Sequence, residues 1–142
     1  FVASFIGSPP MNFIEGRLEE HDGRLEFHTN RFALEIPKGK AHSLIEKNKV
    51  NKVVTLGVRP ENISVDQIVF DAFPNAIIPG IHKISELMGA DRYLYLDIGA
   101  KDLLIVRTNP RNHFDEETKV SVAVDMNKAL FFDRDTGVRL TD

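Results

Sequence analysis

Apolar residues recur at every second position through most of this chain, in short runs cut by Gly, Pro and Asp. A period of two places successive side chains on opposite faces of a pleat, so each run reads as a half-buried strand. The clearest run leads from Val53 to Ile63, where Val54, Leu56 and Val58 alternate with Val53, Thr55 and Gly57. Pro60 then stops the ladder, because it has no N–H to donate, and it biases Arg59 toward an extended backbone. Glu61 and Asn62 form a polar turn before Ile63 returns to the core. An arginine and a carboxylate therefore stand at a rigid strand exit. Arg59, Pro60 and Glu61 are the candidate interaction residues; a charged turn with no partner role accounts for the same pattern.

The other runs follow the same rule. From Asn12, Ile14, Gly16 and Leu18 face one way and Glu15, Arg17 and Glu19 the other. His21-Asp22-Gly23 predicts a hairpin turn into Leu25 and Phe27. Phe32, Leu34 and Ile36 form a third run, closed by Pro37 and Gly39. Further strands are expected at Leu94 to Ile98, Leu103 to Thr108, Val120 to Val124, Leu130 to Phe132 and Val138 to Leu140. Val65 to Ala76 reads as a connection or lobe boundary.

Helical spacing occurs in three places. Phe1, Val2, Phe5 and Ile6, stopped by Gly7 and Ser8-Pro9-Pro10, read as a final helical turn. Phe1 begins mid-pattern, which suggests a piece of a longer chain. Ala41 to Asn48 is the one convincing internal helix, with Ala41, Leu44 and Ile45 on one face. Ile81, Ile84, Leu87 and Met88 are also spaced like a helix face, but Pro79-Gly80 and Gly89 leave only about two turns, a marginal length. The pattern as a whole predicts an all-β fold with one short helix, either a barrel or a pair of small barrels.

A chain of 142 residues with 42% hydrophobic content suits one domain, or two small lobes sharing a core. A net charge of -3 lacks the basic excess with which nucleic-acid binders neutralise phosphates. The Lys47, Lys49, Lys52 run and the aromatics Phe27, Phe32, Tyr93 and Tyr95 read better as a hydrated helix end and core than as a base-stacking face. Absence of cysteine removes disulfides and thiolate metal sites. The only Gly-Lys pair, Gly39-Lys40, is followed by Ala41, and Leu34 stands where a phosphate loop needs its first glycine. His113-Phe114-Asp115-Glu116-Glu117 is the densest group of metal-ligand types, yet one imidazole beside three acids reads as a solvated loop. His21, His28, His42 and His82 are scattered without a zinc-like spacing. No Gly-x-Ser-x-Gly nucleophile elbow occurs. No catalytic, cofactor-binding or metal residue is assigned on these grounds.

Three separated blocks together resemble one family. They are Phe1 to Phe13 (FVASFIGSPPMNF), Leu56 to Ile63 (LGVRPENI) and Phe132 to Leu140 (FDRDTGVRL). In that order they are similar to the C-terminal part of ATP-binding subunits of bacterial ABC carbohydrate importers of the maltose, multiple-sugar and glycerol-phosphate type. Glu86 to Leu96 also resembles that family's Gly-centred strand pair, which places a strand at Ile81 to Met88 where spacing favours a helix. Two departures from the family stand out: Leu130 stands where many members have histidine, and the lysine-rich stretch Lys38 to Lys52 is divergent.

The resemblance implies the transport-associated OB-like (TOBE) domain. It implies an end of the nucleotide-binding domain at 1–11 and a regulatory domain at 12–142, with lobes of roughly 12–70 and 71–142. It implies a non-catalytic regulatory and dimer-holding role, ATP and Mg²⁺ belonging to an ATPase domain outside this stretch. The implied partners are a second copy of itself, permease subunits reached through the ATPase domain, and a regulatory protein, with no nucleic acid. The implied location is cytoplasmic, on the inner face of the membrane. Arg59, Pro60 and Glu61 would fix geometry between lobes or at the pairing surface, unless Arg59 and Glu61 simply brace each other. An oxyanion-binding OB-like module, taking a species such as molybdate, is the alternative.

Overall fold

The computed structural model describes residues 10–142, so the expected helical turn at Phe1 to Ile6 lies outside the described residues. In chain order the elements are β1 (Asn12–His21), β2 (Arg24–His28), β3 (Ala33–Glu35), α1 (Lys38–Glu46), β4 (Val53–Val58), β5 (Ile63–Ser64), α2 (Gln67–Ala72), β6 (Ile77–Met88), β7 (Asp91–Asp97), β8 (Leu104–Thr108), β9 (Lys119–Val124) and β10 (Leu130–Asp133). The strands form two five-stranded antiparallel sheets, ordered β10-β4-β1-β2-β3 and β5-β9-β6-β7-β8. Together they make a near-closed OB-like barrel.

The sheets are not consecutive halves of the chain. β5 joins the second sheet and β10 returns to the first, so strands cross between sheets on both sides of residue 70. One buried cluster runs through both sheets, with Leu18, Phe27, Leu34, Leu56 and Phe131 from one and Ile78, Leu94, Leu96, Leu104 and Val122 from the other. A shared core of this kind makes the sheets one cooperative unit, since neither buries its apolar face alone.

β1 organises the first sheet. Its first half pairs with β4, from Asn12 opposite Val58 to Arg17 opposite Val53. Its second half pairs with β2, from Arg17 opposite His28 to His21 opposite Arg24. Alternation is strict: Ile14, Gly16 and Leu18 are buried while Phe13, Glu15 and Arg17 are exposed. The predicted turn has two central residues, Asp22 at φ 51° and Gly23 at φ 80°. Positive φ at both positions is the type I′ geometry that matches strand twist.

β6 is a strand through Met88, as the family resemblance implied and the helix-like spacing did not. A register shift between His82 and Ile84 changes the phase of the strand, so its apolar residues no longer alternate. Ile84 and Leu87 are exposed rather than core-facing. The helix expected at 41–48 spans Lys38–Glu46 and starts directly after Pro37. It buries Ala41 and Leu44 but leaves Ile45 44% exposed. A second helix, α2, forms where only a connection was expected. It buries no residue, and Ile68 is 77% exposed, so no apolar stripe marked it in the sequence. The expected last strand reduces to one bridge, Phe132 to Arg139. No helix among the described residues is long and apolar enough to cross a membrane.

Candidate functional site

The strand exit singled out by the sequence is the corner where the chain passes between sheets. β4 ends at Val58, Arg59 is extended (φ −79°, ψ 149°), and Pro60–Asn62 make one turn of 3₁₀ helix. The Asn62 N–H donates to Arg59 O at 2.9 Å. β5 then pairs with β9, Ile63 opposite Val124, and the Asp125 N–H donates to Asn62 O at 2.9 Å. Pro60 is buried and fixes the corner, whereas Arg59 and Glu61 are exposed. Among the described residues neither enters an ion pair. The corner therefore presents two opposite charges to solvent on a backbone that cannot easily yield.

Asn12, the register partner of Val58, completes this corner, and nothing in its neighbouring residues marks it. Its side chain is 7% exposed. Asn12 Nδ2 donates to Ile105 O at 2.9 Å, and the Ile105 N–H donates to Asn12 Oδ1 at 2.8 Å. β8 is the edge of the second sheet, and in an antiparallel edge strand the N–H and C=O of one residue point outward together. An amide carries one acceptor and one donor group, so Asn12 pairs both and ties β1 to the neighbouring sheet. It replaces one rung of a ladder.

Beside Asn12 runs an open groove of about 510 Å³ lined mainly by Met11, Phe13, Ile98, Leu103 and Ile105. Phe13 (56%) and Leu103 (41%) are exposed along it. Gly57 allows the aromatic packing above the corner. A Cβ there would lie 2.7 Å from Met11 Sδ and 2.8 Å from Phe132 Cε2, and the Phe13 and Phe132 rings meet edge to face at 5.9 Å.

The last block, Phe132 to Leu140, folds back on β10. Asp133 Oδ1 accepts the backbone N–H groups of Asp135 and Thr136, both at 2.9 Å, and Oδ2 accepts Lys49 Nζ at 2.7 Å. The Lys49 ammonium and then the Thr136 amide hold the Asp133 carboxyl well below the usual carboxylate range. Lys47 Nζ and Ser43 Oγ donate to Leu140 O at 2.9 and 3.0 Å, and Lys40 Nζ donates to Asp142 O. Burial lowers the Lys40 pKa, and Arg139 nearby adds to that. Two lysines of the basic run thus hold the tail rather than simply hydrating a helix end.

The remaining candidates separate. Phe27 and Tyr93 are buried, and the Tyr95 hydroxyl donates to Glu86 Oε1 at 2.7 Å. Burial first, and that carboxylate second, push Tyr95 up to about 12. The loop with His113 and Asp115 clamps β6: His82 N–H donates to Thr118 O at 2.8 Å, and the Glu117 N–H donates to His82 O at 2.7 Å. It draws no ligand set together. The histidines read as scattered are partly gathered instead. Glu19, His21 and His28 offer ligand atoms all within 4.8 Å of one another. Pairing across a hairpin brings them together, and linear spacing does not display that.

A family model described as the TOBE domain matches residues 56–132, more than half of the chain. The chain belongs to the TOBE domain family. A second model, the MalK OB fold domain, matches residues 7–63, and the two overlap on the Leu56 to Ile63 corner. The oligosaccharides import ATP-binding protein MsmX of Bacillus subtilis is 39% identical over 99% of this TOBE chain and 37% of its own length. The multiple sugar-binding transport ATP-binding protein MsmK of Streptococcus mutans is 34% identical over 96% of this chain and 35% of its own. The chain thus spans little more than a third of these relatives. In fold it is similar to the cytoplasmic molybdate-binding protein ModG, with a TM-score of 0.62 at 13% identity over 94% of this chain and 99% of that one.

Proposed function

We propose that this TOBE domain is the regulatory and dimer-holding part of the ATP-binding subunit of an ABC carbohydrate importer. The observation that carries the reading is the match of nearly the whole chain to MsmX and MsmK, two ATP-binding proteins of sugar import. The corner supports it. Arg59 and Glu61 stand exposed on a backbone locked by Pro60, which is how a rigid scaffold presents groups to a partner. A domain that stays paired with its twin keeps two ATPase halves at high effective concentration after nucleotide leaves. A regulator binding one arrangement better than the other shifts the balance between open and closed halves. Catalysis, ATP and Mg²⁺ belong to the ATPase domain, and contact with the permease runs through it at the inner membrane face.

The test uses the full ATP-binding subunit with and without this stretch. Removal is expected to leave ATP hydrolysis measurable but to dissociate the nucleotide-free dimer in sedimentation. An unchanged dimer without the domain, or ATP turnover by the 142-residue chain alone, overturns the reading. A second reading rests on an open groove of about 440 Å³ where Arg17, Arg31 and Arg134 outnumber the carboxylates Glu15 and Glu19, a net positive lining that suits an oxyanion. Calorimetry with molybdate, tungstate and sulfate decides it, and silence for all three removes it.

A further inference from the structure

The outer face of the β1–β2 hairpin carries Arg17, Glu19 and His21 from one strand and Arg24, Glu26 and His28 from the other. The inner face carries Leu18, Leu25 and Phe27, which are fully buried or nearly so. Pairing sets Glu19 opposite Glu26, flanked by the Arg17–His28 and His21–Arg24 pairs. The arginines lean away from the carboxylates between them. Arg17 Nη1 donates to Asn51 O at 2.6 Å, and Arg24 Nη1 lies 4.0 Å from Glu35 Oε1. The imidazoles fill the space so left. His21 Nε2 is 3.4 Å from Glu19 Oε1, His28 Nε2 is 2.8 Å from Glu26 Oε1, and the two rings are 5.4 Å apart.

The geometry points to a divalent transition-metal site formed by Glu19, His21 and His28, with Glu26 holding the His28 ring. Bonds of about 2.0–2.2 Å to nitrogen and oxygen put neighbouring ligand atoms roughly 3.3 Å apart in a tetrahedral shell. The observed separation between two of the proposed ligands, His21 Nε2 to Glu19 Oε1 at 3.4 Å, matches that spacing, while the 2.8 Å contact of His28 Nε2 is to Glu26, which holds the ring from outside the ligand set. The full triad lies within 4.8 Å, and His21, 54% exposed beside the turn, has room to rotate toward the other two ligands. Two imidazoles with a carboxylate select zinc, cobalt or nickel over magnesium or calcium, which take oxygen ligands. An imidazole held by a carboxylate is how metal sites fix ring orientation. Three ligands leave at least one coordination position open to water or to a group from another molecule. A metal there would staple β1 to β2 at a hairpin whose outer face is otherwise held by exposed ion pairs of small individual worth.

The test is a titration of the chelator-treated 142-residue chain, which has one continuous core of its own, with Co²⁺ followed by visible absorption. One equivalent is expected to give bands of mixed nitrogen and oxygen coordination, which Zn²⁺ then bleaches. His21→Gln and His28→Gln are each expected to weaken Co²⁺ by at least about 10-fold, and Glu26→Gln by about 10–100-fold. His42→Gln, which removes an exposed His–Glu pair on α1, is expected to change nothing. Zn²⁺ should raise the unfolding midpoint of the native chain and not that of His21→Gln, whose metal-free midpoint should match the native one. No absorption change with Co²⁺, or equal affinity in the double variant His21→Gln/His28→Gln, overturns the site. So does a His42→Gln effect as large as that of His21→Gln.

Discussion

Asn12 and Asp133 both hold distant parts of the chain against the barrel, and they do it with opposite chemistry. Asn12 is a neutral amide, buried, joined to both backbone groups of Ile105 in the other sheet. Asp133 is a carboxylate with its side chain 20% exposed, joined to the Lys49 ammonium and to two amides of its own turn. Burial of Asn12 makes the first contact costly to break, because the backbone groups left behind regain their hydrogen bonds poorly. Exposure makes the second cheaper to break but sensitive to pH and salt. The contact at the barrel corner therefore carries no titrating group, while attachment of the tail to the lysine-rich segment responds to pH and salt.

Asn12→Ala should be the costliest substitution at either contact. It strips partners from the Ile105 N–H and C=O, and the expected loss of stability is about 2–3 kcal/mol. Denaturant unfolding reads it, and Asn12→Asp should fare little better because a carboxylate cannot donate to Ile105 O. A loss no greater than that of an ordinary surface substitution, about 0.5 kcal/mol, would mean water replaces the amide and the corner is no staple. Next in size comes Gly57→Ala. Its Cβ would press on the Phe132 ring and on Met11, with an expected cost of about 1–3 kcal/mol. Met11 is flexible and Phe132 is not, so pairing Gly57→Ala with Phe132→Leu should recover part of the loss. Failure to recover would place the strain elsewhere.

The contrast between these contacts also explains what the sequence displayed. Alternation in β1 and in the first halves of β4 and β9 was plain because each has one buried face there, and Asp22-Gly23 announced its turn through the positive φ that it requires. The strand character of Ile81 to Met88 was hidden by the bulge after His82, and α2 was hidden because it buries nothing. Pro60 identified the corner, since its effect on the backbone is local. Asn12 lies 93 residues from Ile105, and a polar residue at a strand start looks like many others. Glu19, His21 and His28 likewise meet only through register. Local constraints are written in neighbouring residues, whereas cross-strand and cross-sheet contacts are written in the fold.

A smaller effect is expected at the tunable contact. The Asp133 carboxyl is held below its ordinary value of 3.8 by the Lys49 bond first and the Thr136 amide next. A depressed carboxylate adds stability above its unfolded pKa, and that contribution fades as pH falls below it toward the folded value. Asp133→Asn keeps an acceptor for the turn amides and removes only the charge. Its unfolding midpoint should lie below that of the native chain at pH 7, and the gap should narrow below about pH 4. High salt should narrow it too. A gap independent of pH would show that the turn, rather than the charge, holds the tail.

The smallest stability effect is expected where the functional effect should be largest. Arg59 and Glu61 are exposed, and among the described residues neither forms an ion pair. Replacing both by alanine should therefore change unfolding free energy by no more than about 0.5 kcal/mol. In the full ATP-binding subunit the same variant should alter dimer dissociation or the response to a regulator, because a rigid corner loses the charges that it presents. Exchanging the two residues, Arg59→Glu with Glu61→Arg, keeps net charge and composition while inverting the local field. If the corner meets a partner of fixed polarity, the exchange should harm assembly as much as the double alanine or more. Stability loss above 1 kcal/mol with assembly intact would instead identify the pair as an internal brace, and the corner would then resemble Asn12 in purpose rather than Asp133.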